Sequence, residues 1–295
     1  MKLQLFFLIL IITYSGYGQN DQNGRTTGPE KGSLVIVGGN LSDSSIYAKF
    51  MELAGGSDAP VVIIPTAGDD EFLFKHHGLE EIEKRFADHG FRNLTILHTR
   101  NREEANKKEF YEPLEKATGI WFSGGRQWRL VDAYQHTKTY DLFFKVLEKG
   151  GVIGGSSAGA SIQASFLVRG DTKTNVVMMG DHQEGFGFIT QCAIDQHLLA
   201  LNRQFDIYEI LEAHPGLLGI GLDENTAIVV HGNEFEVIGE SYVAIYDGTF
   251  CHFIRDKNDW SVERPEIIKN PEGSERFYLL GAGRRYNLTE RKVIE

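Results

Sequence analysis

No block of Lys and Arg runs anywhere along this sequence, and its formal net charge is −11. A chain so short of clustered cations has no electrostatic footprint for nucleic acid or an anionic membrane surface. Cysteine is equally scarce. Cys192 and Cys251 are the two present, and each sits in an apolar, strand-like stretch where a buried free thiol is expected rather than a disulfide. No apolar run reaches the roughly 20 residues that span a bilayer. Past the first 31 residues no low-complexity run divides the chain, so 32–295 is expected to form a single domain with one large α/β core.

The N-terminus has its own pattern. Met1-Lys2 is followed by Leu3 to Ile12, almost without polar residues, then by Gly16-Tyr17-Gly18 and a polar stretch. That order predicts a signal peptide over 1–19, cut near Gly18 or Gln19, and hence export to a periplasmic or extracellular space. Residues 20–31 have the Gly-rich, polar composition of a flexible arm.

Short apolar runs ending at Gly or Pro predict buried strands at Leu34–Val37, Val61–Ile64, Leu94–Leu97, Ile120–Phe122 and Val152–Ile153. Helical spacing lies between them: Ile46, Phe50 and Leu53 behind Ser42-Asp43; Leu79, Ile82 and Phe86; Phe143, Phe144 and Leu147 before Gly150-Gly151. Strand alternating with helix predicts a mostly parallel sheet covered on both faces, with any ligand at the carboxyl ends of the strands. The turns there are Gly38-Gly39-Asn40, Pro65 to Gly68, Ser123-Gly124-Gly125 and Gly154 to Gly159. Beyond about Ile220, Ala227–Val230, Phe235–Ile238 and Tyr242–Tyr246 read as antiparallel hairpins added to the sheet edge.

Gly155-Ser156-Ser157-Ala158-Gly159 follows a strand and precedes a helical pattern through Ala160, Ile162 and Ala164. This is the setting of a nucleophile elbow, in which small neighbours let a strained turn lift Ser157 out of the sheet. The amide of Ala158 becomes an oxyanion donor. A tight or phosphate-binding glycine turn has the same spelling.

A serine nucleophile needs a base. His76 and His77 stand in a charged helix start, His89 at a helix end, and His136, His182, His214, His231 and His252 in polar or turn-like settings. His197 closes Asp195-Gln196-His197, at the end of the apolar strand Phe188–Ile194 and before a helix opening at Leu198-Leu199. A structural role suits that position as readily as a catalytic one. Trp121 to Gln127 gives another strand and Gly turn whose amides could complete an oxyanion hole, and Asp223-Glu224 opens a hairpin.

Gly38-Gly39, Phe122-Ser123-Gly124-Gly125 with Gln127, Gly155 to Ala160, Asp195-Gln196-His197 and Gly221 to Ala227 occur in this order across nearly the whole chain. Together they resemble the cyanophycinase and dipeptidase E family of serine peptidases, family S51, which is similar to the class I glutamine amidotransferases. The resemblance implies a flavodoxin-like fold and peptide hydrolysis through an acyl-enzyme, with no metal or other cofactor. It implies Ser157 as nucleophile, His197 as base, Ala158 with Gly124 or Gly125 as oxyanion hole, and Gln127, Asp195, Gln196 and Arg203 as substrate-binding residues. For the third catalytic member it offers Glu224 or Asp171, with Glu224 in the better-matched motif. A homodimer is also a family expectation.

The chain departs from the cyanophycin-cutting pattern, which has Asp in place of Arg126 and arginines in place of Leu201 and Asp206. Cyanophycin or a different aspartyl or β-aspartyl peptide is therefore the expected substrate. An esterase shares the elbow, but the His-Gly-Gly-Gly type of loop is missing. A degenerate, peptide-binding member of the family is the non-enzymatic reading.

Overall fold

The computed structural model describes residues 25–255, 263–269 and 276–294. The expected signal peptide and the first part of the arm lie outside these residues. From Thr26 on, the arm is tied down: Thr26 is fully buried, with its hydroxyl donating to Gln191 O at 3.0 Å, and the Thr27 and Thr190 hydroxyls share a 2.7 Å hydrogen bond.

The first sheet is built from β1 (Ser33–Val37), β2 (Val61–Ile64), β3 (Leu94–Ile96), β4 (Gly119–Phe122) and β5 (Val152–Ser156), in the spatial order β1-β5-β4-β2-β3, all parallel. These are the five strands expected from the apolar runs. Alternate residues of a strand face opposite sides, and here both sides are core: Leu34 and Ile36 face one cluster, Val35 and Val37 the other. Helices α1 (Ser44–Ala54) and α2 (Gly78–Asp88) cover the second face through Ile46, Phe50 and Phe86. Helices α3 (Lys108–Lys116), α4 (Trp128–Tyr134) and α5 (Lys138–Glu148) cover the first through Leu114, Tyr134 and Phe143. Asp43 caps α1 by accepting from Ser45 N, and Gly55 ends it at φ 106°.

Two expectations about elements need correction. The helix after the elbow, α6, is one turn long (Ala158–Ser161), because the chain enters β6 (Ala164–Phe166) immediately. No helix opens at Leu198: turns lead from β7 (Ile189–Gln196) to α7 (Tyr208–Ala213).

The other finding is a second sheet. It contains β6, β7, β8 (Leu218–Leu222), β11 (Val243–Tyr246) and β14 (Tyr278–Leu280), in the order β14-β11-β8-β7-β6. One face, with Ile194, Ile220 and Ile245, joins the core beneath the first sheet, and the other packs Ala193 and Tyr246 against Ile207 and Ile210. Strands β9 (Thr226–His231) and β10 (Glu234–Gly239) do extend the first sheet antiparallel beside β1, followed by β15 (Arg285–Asn287) and β16 (Lys292–Ile294). The stretch expected as a third hairpin strand instead pairs with β8. Strands β12 (Thr249–Arg255) and β13 (Glu263–Lys269) form a separate ribbon. Cys192, on β7, is a free thiol whose complete burial pushes its pKa up.

Candidate active site

The residue after β5, Ser157, takes φ 57° and ψ −113°, a region that a side-chain-bearing residue occupies only when its surroundings hold it there. Its N–H donates to Val37 O at 3.0 Å. Gly155 and Gly159 close the turn: a Cβ on Gly155 would lie 2.3 Å from Gly159 O, and one on Gly159 2.0 Å from Phe122 O, so neither position admits a side chain. Because α6 starts at once, the Ala158 N–H belongs to the helix's unpaired first turn.

His197 follows β7, and its N–H donates to Gly38 O at 2.8 Å, tying the end of the second sheet to the turn after β1. Its Nε2 lies 2.9 Å from Ser157 Oγ and its Nδ1 2.7 Å from Glu224 Oε1. A carboxylate only accepts, so Nδ1 carries the proton and Nε2 accepts from the serine hydroxyl. The other Glu224 oxygen accepts from Asn40 Nδ2 at 2.9 Å. The hydrogen bond from His197, aided by the one from Asn40, holds the Glu224 carboxyl below the usual carboxylate range. The imidazole lies against bare backbone: a Cβ on Gly39 would come within 2.2 Å of His197 Cε1.

Neighbouring residues hold this arrangement. Asp223 Oδ1 accepts from the N–H groups of Leu199 and Ala200, both at 2.9 Å, and its Oδ2 from Ser241 Oγ at 2.6 Å. Asp223 thus fixes the loop that carries His197, while Glu224 meets the ring. Asn225 donates its N–H to Gly39 O at 3.1 Å and accepts from Ser42 N at 2.7 Å. Ser157 stands on the first sheet, His197 on the second, and Glu224 on the connection from β8 in one to β9 in the other.

The turn after β4 faces Ser157. A Cβ on Gly124 would lie 3.4 Å from Ser157 Cβ, whereas Gly125 packs on Ala67 O. Among the described residues the Gly124 N–H donates to no backbone carbonyl. A cleft of about 260 Å³ opens beside Ser157, His197 and Gly124, walled by Tyr47, Phe72, Ile82 and Trp121 and lined by one arginine, Arg85.

The other expected site residues lie elsewhere. Asp171 does not meet His197: its carboxylate accepts from the N–H groups of Lys173 and Thr174 at 3.0 and 2.7 Å, closing a turn, and Arg126 donates to the carbonyls of Asp171 and Thr174. Gln127 is fully buried, with Nε2 donating to Val168 O at 2.6 Å. Asp195, also fully buried, receives both Nε and Nη2 of Arg169, at 2.9 and 3.0 Å, and Arg169 also pairs with Asp206 at 2.6 Å. Gln196 is buried and accepts from Arg203 Nη1 at 2.7 Å. Gln127, Asp195 and Gln196 thus serve the protein interior, while Arg203 is half-buried and holds Gln196; the matched motifs mark positions without saying which side of the backbone each side chain leaves. Asn40 and Arg85 join the site with no motif of their own in the sequence. Asn40 stood in a turn singled out by topology, but its partner is 184 residues away, and Arg85 is one of many charges on an amphipathic helix.

An α/β protein that presents serine, imidazole and carboxylate in one hydrogen-bonded line at the ends of its strands has the layout of a serine hydrolase. The chain belongs to peptidase family S51, whose model matches residues 34–238, and it is a serine-type peptidase. It is similar to a cyanophycinase of Geminocystis herdmanii, 31% identical over 265 residues that cover 87% of this chain and 94% of that one. A cyanophycinase of Synechococcus elongatus is 29% identical, with 89% and 81% covered. The fold is that of a peptidase from an acI-B1 Actinobacterium, at TM-score 0.61 and 24% identity over 82% of this chain and 98% of that one. A putative peptidase E from Listeria monocytogenes aligns at TM-score 0.53 and 19% identity over 72% of this chain and 100% of that one.

Proposed function

We propose that this chain is an exported peptidase that hydrolyses aspartyl or β-aspartyl peptide bonds through an acyl-enzyme on Ser157. The observation that carries the reading is the continuous line from Ser157 Oγ through His197 to Glu224. In the proposed reaction His197 Nε2 takes the hydroxyl proton as Oγ attacks the peptide carbonyl. Negative charge develops on the carbonyl oxygen opposite the amides of Ala158 and Gly124. His197 returns the proton to the leaving amine, then activates a water that releases the acyl group and restores Ser157. Glu224 keeps the imidazole in its working tautomer and stabilises the imidazolium.

The similarity to cyanophycinases supports the aspartyl class of linkage. The N-terminal pattern Met1-Lys2 and Leu3 to Ile12 supports export. The test is single-turnover release from β-Asp-Arg polymer, β-aspartyl dipeptides and α-aspartyl dipeptides, comparing wild type with Ser157→Ala. Cleavage that falls by about 10⁴-fold or more in the variant is expected. Cleavage indifferent to the substitution overturns the mechanism. No cleavage, together with no labelling of Ser157 by a serine-reactive probe, overturns the function. Export predicts that secreted protein begins near Gln19, and an intact Met1 on protein retained in the cytoplasm would refute it.

A further inference from the structure

The charges around the cleft are lopsided. Among the described residues no carboxylate lines it, and its one permanent charge is the guanidinium of Arg85, in the last turn of α2. Arg85 Nη2 lies 2.9 Å from Glu81 Oε1, one helical turn back, with both side chains about half exposed. Such an exposed pair is weak and exchangeable, so it orients the guanidinium without consuming it. Arg85 also acts on the Tyr47 hydroxyl across the wall, offsetting part of the rise in pKa that burial causes there.

Apart from Glu81, which pairs with Arg85 itself, the carboxylates around His197 are already committed. Glu224 is bonded to His197 and Asn40, Asp223 to two amides and Ser241, and Asp195 and Asp206 to Arg169. A substrate guanidinium entering this cleft finds aromatic and aliphatic walls, a cation and, among the lining residues, no carboxylate to pair with. A substrate carboxylate finds Arg85, whose planar fork suits it.

We infer that Arg85 selects the substrate: the residue that occupies the cleft beside the scissile bond carries a carboxylate, and arginine-bearing peptides are poor substrates. The inference rests on the peptidase reading above and concerns its specificity. Its chemical class is an acidic aspartyl peptide, with the apolar part of the acidic residue against Tyr47, Phe72 and Trp121.

The test is kcat/KM for β-Asp-Glu, β-Asp-Leu and β-Asp-Arg and their α-linked counterparts, for wild type, Arg85→Gln and Arg85→Glu. Wild type is expected to favour Glu over Arg by roughly tenfold or more, the ratio to approach one in R85Q, and to reverse in R85E. Thermal unfolding of both variants monitors folding, and the half-exposed position tolerates either change. A Glu-to-Arg ratio that is the same in all three proteins overturns the role of Arg85 while leaving Ser157-dependent cleavage intact. A wild type that prefers Arg overturns it too. Loss of all cleavage in wild type, with Ser157 unlabelled, is instead the failure of the peptidase reading.

Discussion

Asp223 and Glu224 are adjacent carboxylates with different work, one holding the loop of His197 and the other its ring. Substituting Glu224→Gln keeps the size and removes the charge that favours the imidazolium, so kcat should fall on the order of 10⁴-fold, read by steady-state assay. The folded protein holds this carboxyl below its ordinary range, so its contribution to stability has a definite pH course. It is complete above the unfolded carboxylate pKa of about 4.3 and is lost as pH falls through the lower folded value. Denaturation of wild type and E224Q across a pH series should give a constant difference near neutrality that shrinks in acid, and a gap widening in acid would contradict the assignment. Ser157, His197 and Glu224 were legible as candidates because each stands at an element boundary in a motif whose small neighbours have steric reasons. Asp195 and Gln196 share a motif with His197 but lie in β7, whose two faces are both covered, so that a side chain leaving either side of the strand is buried.

At the scale of elements, continuous apolar runs announced β1 to β5 because both faces of that sheet are buried. The second sheet was not legible. Its strands are separated by long stretches of chain, and nothing local in Val243–Tyr246 says whether it pairs with β10 or with β8. What holds β7 to the loop after β6 is also non-local: Arg169 grips Asp195 and Asp206 from within that loop. Arg169→Ala leaves Asp195 buried without a counter-charge and should cost about 3–5 kcal/mol in chemical unfolding. The double variant Arg169→Met with Asp195→Leu removes both charges and should cost far less. Equal losses in the two proteins would show that the pair is not the source of the stability.

Among the described residues two large sheets share one core beside the β12–β13 ribbon, with the segment from Thr26 laid along β7 and the C-terminal strands closing the first sheet beyond β10. Its surface is acidic overall, with a net charge of −11, so the cation in the cleft stands out against the general field. The reacting groups are divided between the sheets, and this makes catalysis a gauge of how the two halves sit. Hydrogen bonds of 2.9 and 2.7 Å across that seam tolerate little sliding before the proton path is broken. Activity should therefore be lost at urea concentrations where far-ultraviolet circular dichroism still reports both sheets intact. Coincident loss of the two signals would mean that the halves never slip before they melt. In the first case the peptidase carries its own off switch, thrown by any perturbation that loosens the docking of one sheet on the other, long before either unravels.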